Sequence, residues 1–411
     1  MMSSIPLEKL KEEIDAKKRF ISTLPPCENR SEEGFFKAKH LKILAQKEEE
    51  YELILESQRV ALVVREHEEL YPPITEECPI CLEDIRITAL DSMVVFTCCG
   101  NGYCMKCRQA SRCQGVNRMA SCPLCRAEWP SEEESISLIK QRADDGRSWA
   151  QTQVGVWYFN GSDGFPVDRR EALKWFELAA DSRHTPALYL LSYIYMEGLD
   201  GIVRQSDSTA MSLMKDAADL GYSEAQYELA EMYLDRNSGG EDQRKAALYM
   251  TLAYSQDQYP LSAASLMGNF FYSGFGGLSK SLYLAKYYLE EAAGKRCDAA
   301  HCPLAMTLLQ LGDLQYKGMD DIPGHCCIPM VLFWARKAAV REDYSKADAI
   351  KLIGQLERVL KKHCANCVRG ATRFSGKMKQ CARCKAAWYC GRECQLEHWK
   401  DGHKTDCIKQ K

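Results

Sequence analysis

No apolar run in this 411-residue sequence approaches the ~18 residues of a membrane-spanning helix, so no spanning segment is expected. The first residues, MMSSIPLEKLKEE, lack the apolar stretch of an export signal. A charge excess of one sign is missing too. The 54 Lys+Arg and 57 Asp+Glu leave a formal net charge of −3, which gives no whole-chain argument for binding nucleic acid or an anionic membrane. No glycine-rich phosphate loop, serine elbow or paired-carboxylate arrangement stands out. Hydrophobic content of 46% and charged content of 27% exclude a disordered chain, and the length predicts two to four domains.

Cysteine, by contrast, is abundant and clustered. Fifteen of the 21 cysteines fall in two blocks: Cys78, Cys81, Cys98, Cys99, Cys104, Cys107, Cys122 and Cys125, then Cys364, Cys367, Cys381, Cys384, Cys390, Cys394 and Cys407, with His403 completing a second set of eight. Without an export signal a cytoplasmic or nuclear, reducing setting is expected. There, paired C-x2-C spacings read as metal sites rather than disulfides. Four-coordinate structural zinc takes four Cys or His ligands, so each block has donors for two ions and four are expected in all. Segments this short bury little apolar surface and would need the metal to fold.

Between the blocks the sequence repeats. Ala150, Ala187, Ala225, Ala264 and Ala305 recur at intervals of 37, 38, 39 and 41 residues. Each is followed by aromatic or large apolar residues, a Gly- and Asp-rich turn, and a second helical stretch ending in small residues, as in Ala179-Ala180, Ala217-Ala218 and Ala292-Ala293. Periods of this length predict paired-helix solenoid units, with Trp175, Tyr288 and Trp334 filling the stacked core. Ala150-Gln151 through Gly155, Tyr158, Gly161, Val167-Asp168, Ala172, Trp175 and Ala179-Ala180 resemble the Sel1-like repeats, cousins of the tetratricopeptide repeats. The third repeat, around Asp235 to Gln256, fits that pattern poorly. The resemblance implies a linear array whose concave face binds proteins; an array serving only as a spacer is the plain alternative.

Near the start, Leu7, Leu10, Ile14 and Ile21 share one helical face up to Pro25-Pro26. A second helix is predicted from the cap Ser31 toward Tyr71. Leu41, Leu44, Tyr51, Leu55 and Leu62 fit a heptad that Glu48, Gln58 and Arg65 interrupt. A helical hairpin packing on its own chain and self-association through this helix are both open.

The first cysteine block, with Cys78-Pro79-Ile80-Cys81, Gly102-Tyr103-Cys104-Met105-Lys106-Cys107 and Cys122-Pro123-Leu124-Cys125-Arg126, resembles a RING finger. The resemblance implies interleaved ligand sets, Cys78, Cys81, Cys104 and Cys107 for one zinc and Cys98, Cys99, Cys122 and Cys125 for the other. The Cys98-Cys99 doublet departs from the usual spacing, and Asn101 stands where many members have His. The resemblance further implies a docking platform for a ubiquitin-conjugating enzyme, with Ile80 and Pro123 as apolar contacts and Arg126 as a cation bridging enzyme and ubiquitin. The segment from Arg108 to Ser121 lacks the tryptophan common in active members and offers Val116 and Met119 instead.

The second block, around Trp388-Tyr389-Cys390-Gly391-Arg392-Glu393-Cys394 and His398-Trp399, resembles a MYND finger. That implies Cys364, Cys367, Cys390 and Cys394 for one zinc and Cys381, Cys384, His403 and Cys407 for the other, with His398 packed rather than ligating. It also implies docking of partner proteins or proline-rich peptides, with Trp388 or Trp399 as the anchor. Residues 361–411 hold 13 Lys/Arg against four Asp/Glu, yet no groove-reading helix is apparent, so nucleic acid is not the expected partner. MYND fingers also accompany lysine methyltransferases, but no Asn here precedes a His as their catalytic signature requires. Cys297, His301, Cys302, His325, Cys326 and Cys327 match no metal motif.

The expected architecture is mainly α: a right-handed α/α solenoid flanked by two small interleaved two-zinc fingers. Residues 1–72 form the N-terminal hairpin or coiled coil, 75–130 the RING-type finger, 131–146 a linker and capping half-repeat, 147–360 the repeats and 364–407 the MYND-type finger. The expected function is a RING-type ubiquitin-protein ligase that recruits substrate or adaptor proteins through its repeats and MYND finger. A non-enzymatic zinc-binding scaffold is the alternative, and a nucleic-acid-associated regulator a weaker one.

Overall fold

The computed structural model describes residues 7–24, 32–73, 75–86, 93–113, 121–122, 124–235, 240–256, 261–315, 328–340, 345–360, 378–385, 387–400, 404 and 407. Helices dominate these residues, and the strands form three small antiparallel pairs. The chain divides into two compact units, Met1–Arg59 with Leu261–Lys411, and Val60–Pro260.

In the second unit, β1 (Thr75–Glu77) pairs with β2 (Asp84–Arg86), and β3 (Met93–Val95) with β4 (Gly102–Cys104), which runs into α3 (Met105–Cys113). Then come α4 (Glu132–Asp144) and three helix pairs: α5 (Ser148–Asn160) with α6 (Arg169–Asp181), α7 (Thr185–Glu197) with α8 (Asp207–Asp219), and α9 (Ser223–Asp235) with α10 (Gly240–Ser255). Successive helices from α4 to α10 pack on one another.

The repeat is built from a few recurring contacts. Ala150, Ala187 and Ala225 occupy the third position of α5, α7 and α9 and are fully buried. Five residues on, Gly155, Ser192 and Ala230 keep that face narrow where the second helix crosses. A β-carbon on Gly155 would lie 2.6 Å from the Phe176 ring, and Ser192 Oγ sits 3.8 Å from Met214 Sδ. The first helices α5 and α7 then end at positive-φ glycines, Gly161 and Gly198, where a β-carbon would be strained. Asp168 and Ser206 cap the second helices, accepting from the N–H groups of Arg170 and Glu171 and of Thr209. The same two residues donate their own N–H to Tyr158 O (2.9 Å) and Tyr195 O (2.8 Å), closing each hairpin.

In the first unit, α1 (Leu7–Thr23) buries Leu10 and Ile14. The boundary between the units falls within α2 (Glu32–Leu70), at Arg59. The proposed cap Ser31 and the Pro25-Pro26 stop lie outside the described residues. Helix pairing continues through α11 (Leu261–Ser273), α12 (Leu282–Gly294), α13 (His301–Gln315), α14 (Ile328–Ala339) and α15 (Ser345–Leu360). β5 (Lys379–Gln380), β6 (Trp388–Tyr389) and α16 (Arg392–His398) follow.

The repeat register differs from the sequence reading at one point. First helices open at Ser148, Thr185, Ser223 and Leu261, at intervals of 37, 38 and 38 residues. The fourth equivalent of Ala150 is therefore Ala263 rather than Ala264, and Gly268 takes the place of Gly155. Ala263-Ala264 are both buried, so composition alone left the register ambiguous by one residue.

Gly268 is the tighter crossing: a β-carbon there would sit 2.5 Å from Leu289 Cγ and 3.2 Å from Ala285 O. Gly268→Val is expected to destabilise the chain by about 1–3 kcal/mol through overpacking. Gly354→Ala in α15, with open space around its position, should instead gain up to about 1 kcal/mol of helix propensity. Denaturant midpoints of the two variants moving in opposite directions is the expected result.

Candidate metal centres

Three cysteine groups converge, each with its sulfurs within 4.8 Å of one another: Cys78, Cys81, Cys104 and Cys107; Cys98, Cys99, Cys122 and Cys125; and Cys381, Cys384 and Cys407. The first two sets interleave along the chain, so each clamps two segments that local structure would leave apart.

The backbone that presents them is a repeated five-residue turn. Leu82 N–H donates to Cys78 O (2.8 Å) and Cys78 N–H to Glu83 O (2.9 Å). Cys122 repeats this with Arg126 (2.9 Å) and Ala127 (2.8 Å), and Cys381 with Lys385 (3.0 Å) and, one residue further along than in the other two, Ala387 (2.8 Å). The residue after each second cysteine, Leu82, Arg126 or Lys385, has φ of 59°, 62° or 52°. This left-handed step is uncommon for residues with a β-carbon, and it turns both thiols of the pair to the same side.

The Cys98-Cys99 doublet uses the same turn with a substitution. Phe96 takes the first position, its N–H donating to Asn101 O (2.9 Å) and its carbonyl accepting from Gly100 N–H (2.7 Å). Gly100 supplies the left-handed residue at φ 71°. Cys99 thus stands where the second cysteine of a pair would, and Cys98 beside it reaches the same cluster. Phe96 stacks on Tyr103 (4.9 Å) and packs against Trp129 (5.6 Å), forming a small aromatic floor. The sequence reading missed Phe96 and Trp129; the spacing of Phe96 from Cys99, that of a C-x2-C pair, was the available signal.

The donor set fits zinc. Zn–S bonds of about 2.3 Å in a tetrahedron separate the sulfurs by about 3.8 Å. Here Cys78 and Cys107 are 3.9 Å apart, Cys81 and Cys104 3.7 Å, Cys98 and Cys125 3.6 Å, Cys99 and Cys122 4.0 Å, and Cys381 and Cys407 3.7 Å. These are far beyond a disulfide bond. The electrostatics of the thiols point the same way. Burial raises Cys78, but N–H donors from Cys104, Cys81 and Ile80 outweigh it and bring the thiol down to about 6. Burial likewise raises Cys122, yet the N–H groups of Cys125 and Leu124 bring it to about 7. In the same cluster, burial and the neighbouring Cys122 and Cys125 push Cys98 up to about 12. One thiolate forms readily and then suppresses the others; a dication removes that suppression. Zinc is the cofactor, and its role at such closed sites is structural.

In the C-terminal finger, Cys390 and Cys394 lie 3.5 Å apart at the start of α16. Cys364, Cys367 and His403 lie outside the described residues. His398 is buried with Nδ1 3.0 Å from Tyr389 Oη, a packed position. Trp399 is half-buried with the Arg383 guanidinium 6.0 Å from its ring. Of the residues proposed to meet a conjugating enzyme, Ile80 is 46% exposed and Arg126 is exposed. Pro123, Val116 and Met119 lie outside the described residues, as do His325, Cys326 and Cys327. His301 is buried and stacked on Trp334 at 5.2 Å.

Comparison with known proteins adds the modules. The MYND finger family matches residues 364–407, and the Sel1 repeat family matches 150–184, 185–222, 223–258 and 261–295. The third repeat is therefore a Sel1 repeat, although its sequence pattern is weak. Over 95 residues the chain is 33% identical to a chitin synthase regulator of Malassezia restricta (23% of this chain, 7% of that protein). An F-box protein of Arabidopsis thaliana matches at 25% over 230 residues (56% and 52%). A component of an ERAD-associated E3 ubiquitin-protein ligase from the same plant matches at 27% over 115 residues (28% and 18%). The chain thus spans about half or less of each of these relatives. Sel1 repeats and a MYND finger make this a zinc-binding chain built for protein interaction. No helix among the described residues is long and apolar enough to cross a membrane.

Proposed function

We propose that the chain is a RING-type ubiquitin-protein ligase whose first finger docks a ubiquitin-conjugating enzyme while its repeats and MYND finger hold substrate or adaptor proteins. The observation that carries this reading is the interleaved pair of four-cysteine clusters with Ile80 and Arg126 turned out to solvent beside them. A platform of this kind contributes no reacting group. A substrate lysine amine attacks the ubiquitin thioester carried by the conjugating enzyme, the C–N bond forms as the C–S bond breaks, the amine proton goes to solvent, and the thiolate stays on that enzyme. Holding the thioester in one orientation lowers the entropic barrier to that attack. Ile80 supplies apolar contact, and the fixed donor fork of Arg126 suits bridging two acceptors. One relative's name places it in a ubiquitin ligase assembly, which agrees with this reading.

The test is ubiquitin-chain formation with a panel of conjugating enzymes, comparing the wild type with Ile80→Ala and Arg126→Ala. Both side chains are exposed, so the fold and zinc content should be unchanged while chain formation falls at least about tenfold, the cost of about 1.4 kcal/mol of lost contact. Absence of activity with every conjugating enzyme would leave the non-enzymatic scaffold as the reading.

A further inference from the structure

We infer that Arg142, on the capping helix α4 of the solenoid, is a positioning residue for the Cys98, Cys99, Cys122 and Cys125 zinc site, and that the first repeat thereby governs how tightly that ion is held. Arg142 lies about forty residues beyond the doublet and belongs to no metal motif, so the sequence singled it out for nothing. Its guanidinium reaches back to the turn that carries the ligands. Nη2 donates to Cys98 O at 2.9 Å and Nε to Thr97 O at 3.3 Å. Gly100 leaves the space this needs, since a β-carbon there would lie 2.5 Å from Arg142 Nη1 and 2.7 Å from Cζ. Ser135, two turns earlier on α4, places its Oγ 3.4 Å from Thr97 Oγ1.

The other side of α4 belongs to the repeats. Ala143 is buried in one cluster with Ala150, Val154 and Trp157, against which Ile136 and Ile139 also pack. Gln151 Nε2 donates to Ala143 O at 3.3 Å, as Gln226 does to Ala218 O (3.0 Å) two repeats later. The helix start is fixed independently, with Ser131 and Glu134 forming a reciprocal capping box. A rigid helix therefore carries the guanidinium, with its register set by the repeat packing behind it.

Physically, two charge-assisted bonds to consecutive carbonyls hold the Thr97–Cys98 peptides in the orientation that aims Cys98 at its cluster. The guanidinium charge is thereby fixed on the backbone carbonyl of a ligand residue, where a cation favours a site of net negative charge. Partners in this outer layer typically change metal affinity 10–100-fold when removed. The inference needs the bound metal but not the ligase activity.

The experiment counts zinc in the full-length, zinc-loaded chain by native mass during timed exposure to a competing chelator, with hydrogen exchange locating the loss. In Arg142→Ala, one of the four ions is expected to leave at least about tenfold faster, with exchange rising at residues 97–101 and the other three ions unaffected. Arg142→Lys, which keeps the charge but not the fork, should fall between. Gly100→Asn tests the same contact without touching Arg142: asparagine tolerates positive φ, but its β-carbon would displace the guanidinium, so the same single ion should be labilised. If Arg142→Ala does not fold, Gly100→Asn decides alone. Unchanged release, or all four ions released uniformly faster, would overturn the assignment.

Discussion

Exhaustive chelation is expected to unfold the cysteine-rich segments at residues 75–130 and 378–407 while leaving the repeat helices folded. The reason is the imbalance in what each part buries. Between residues 75 and 130 the buried apolar side chains among those described are Ile85 and Phe96, plus the ligands Cys78 and Cys122 themselves. The three strand pairs are two or three residues long, too short to stand alone. In contrast, α5–α10 bury a long series of alanines with Phe176, Met214, Leu229 and Met250. Binding of a structural zinc contributes apparent free energies of roughly 10–16 kcal/mol near neutral pH, more than a typical small domain's whole stability. Far-UV circular dichroism should therefore change little on chelation, because the repeats dominate the helical signal. Hydrogen exchange should rise to unprotected rates within both fingers. Since ligands bind as thiolates, release should also accelerate as pH falls, because burial and the neighbouring sulfurs raise a thiol in each cluster, Cys107, Cys98 and Cys407. Protection persisting at both ends of a chain shown by mass to carry no metal would refute this account of the fingers.

How much was legible in advance depends on whether the information was local. The knuckle turns were, because C-x2-C fixes both the ligand pair and the turn that presents it. The repeat was, because alanine and glycine are required wherever two helices cross closely, as at Ala150 and Gly155. Its register slipped at Ala263-Ala264, where two adjacent small residues satisfy the pattern equally and only the position of Leu289 over Gly268 decides. Arg142 was invisible for a different reason. A single arginine on an amphipathic helix reads as a solvated charge, and nothing in its neighbourhood names a carbonyl forty residues back. The acidic run in α2 misled in the same way. Glu48 appeared as an interruption of a heptad, yet its carboxylate accepts from Tyr283 Oη at 3.1 Å. Glu49 pairs with Lys286 at 2.9 Å, and Glu52 accepts from the Ser281 hydroxyl. What looks like a broken coiled-coil seam is a polar docking face for α12.

That docking face predicts a large effect from one carboxylate. Glu56 is 6% exposed, accepts from Tyr288 Oη at 2.6 Å, and receives both Nε and Nη2 of Arg59 at 2.7 Å. Tyr288 is itself fully buried and stacked on Phe271 at 5.6 Å, with Arg59 6.0 Å from the same ring. Burial and then the Glu56 charge push the Tyr288 phenol well above its ordinary range, so it remains a proton donor at any pH the fold survives. Glu56→Ala would remove the buried carboxylate to which both the Tyr288 hydroxyl and the Arg59 guanidinium donate. Breaking a buried pair in this way costs about 3–5 kcal/mol, well above the median surface ion pair. Tyr288→Phe removes the hydroxyl's bond to that charged acceptor and should cost about 1.5–3 kcal/mol. Because the two residues share one interaction, the double variant should be less destabilised than the sum of the singles, by 0.5 kcal/mol or more. Denaturant titration of all four chains measures this coupling directly. Additive losses would mean that α2 is held to α12 by its apolar contacts alone, and the acidic stripe would then be reduced to solvated charge.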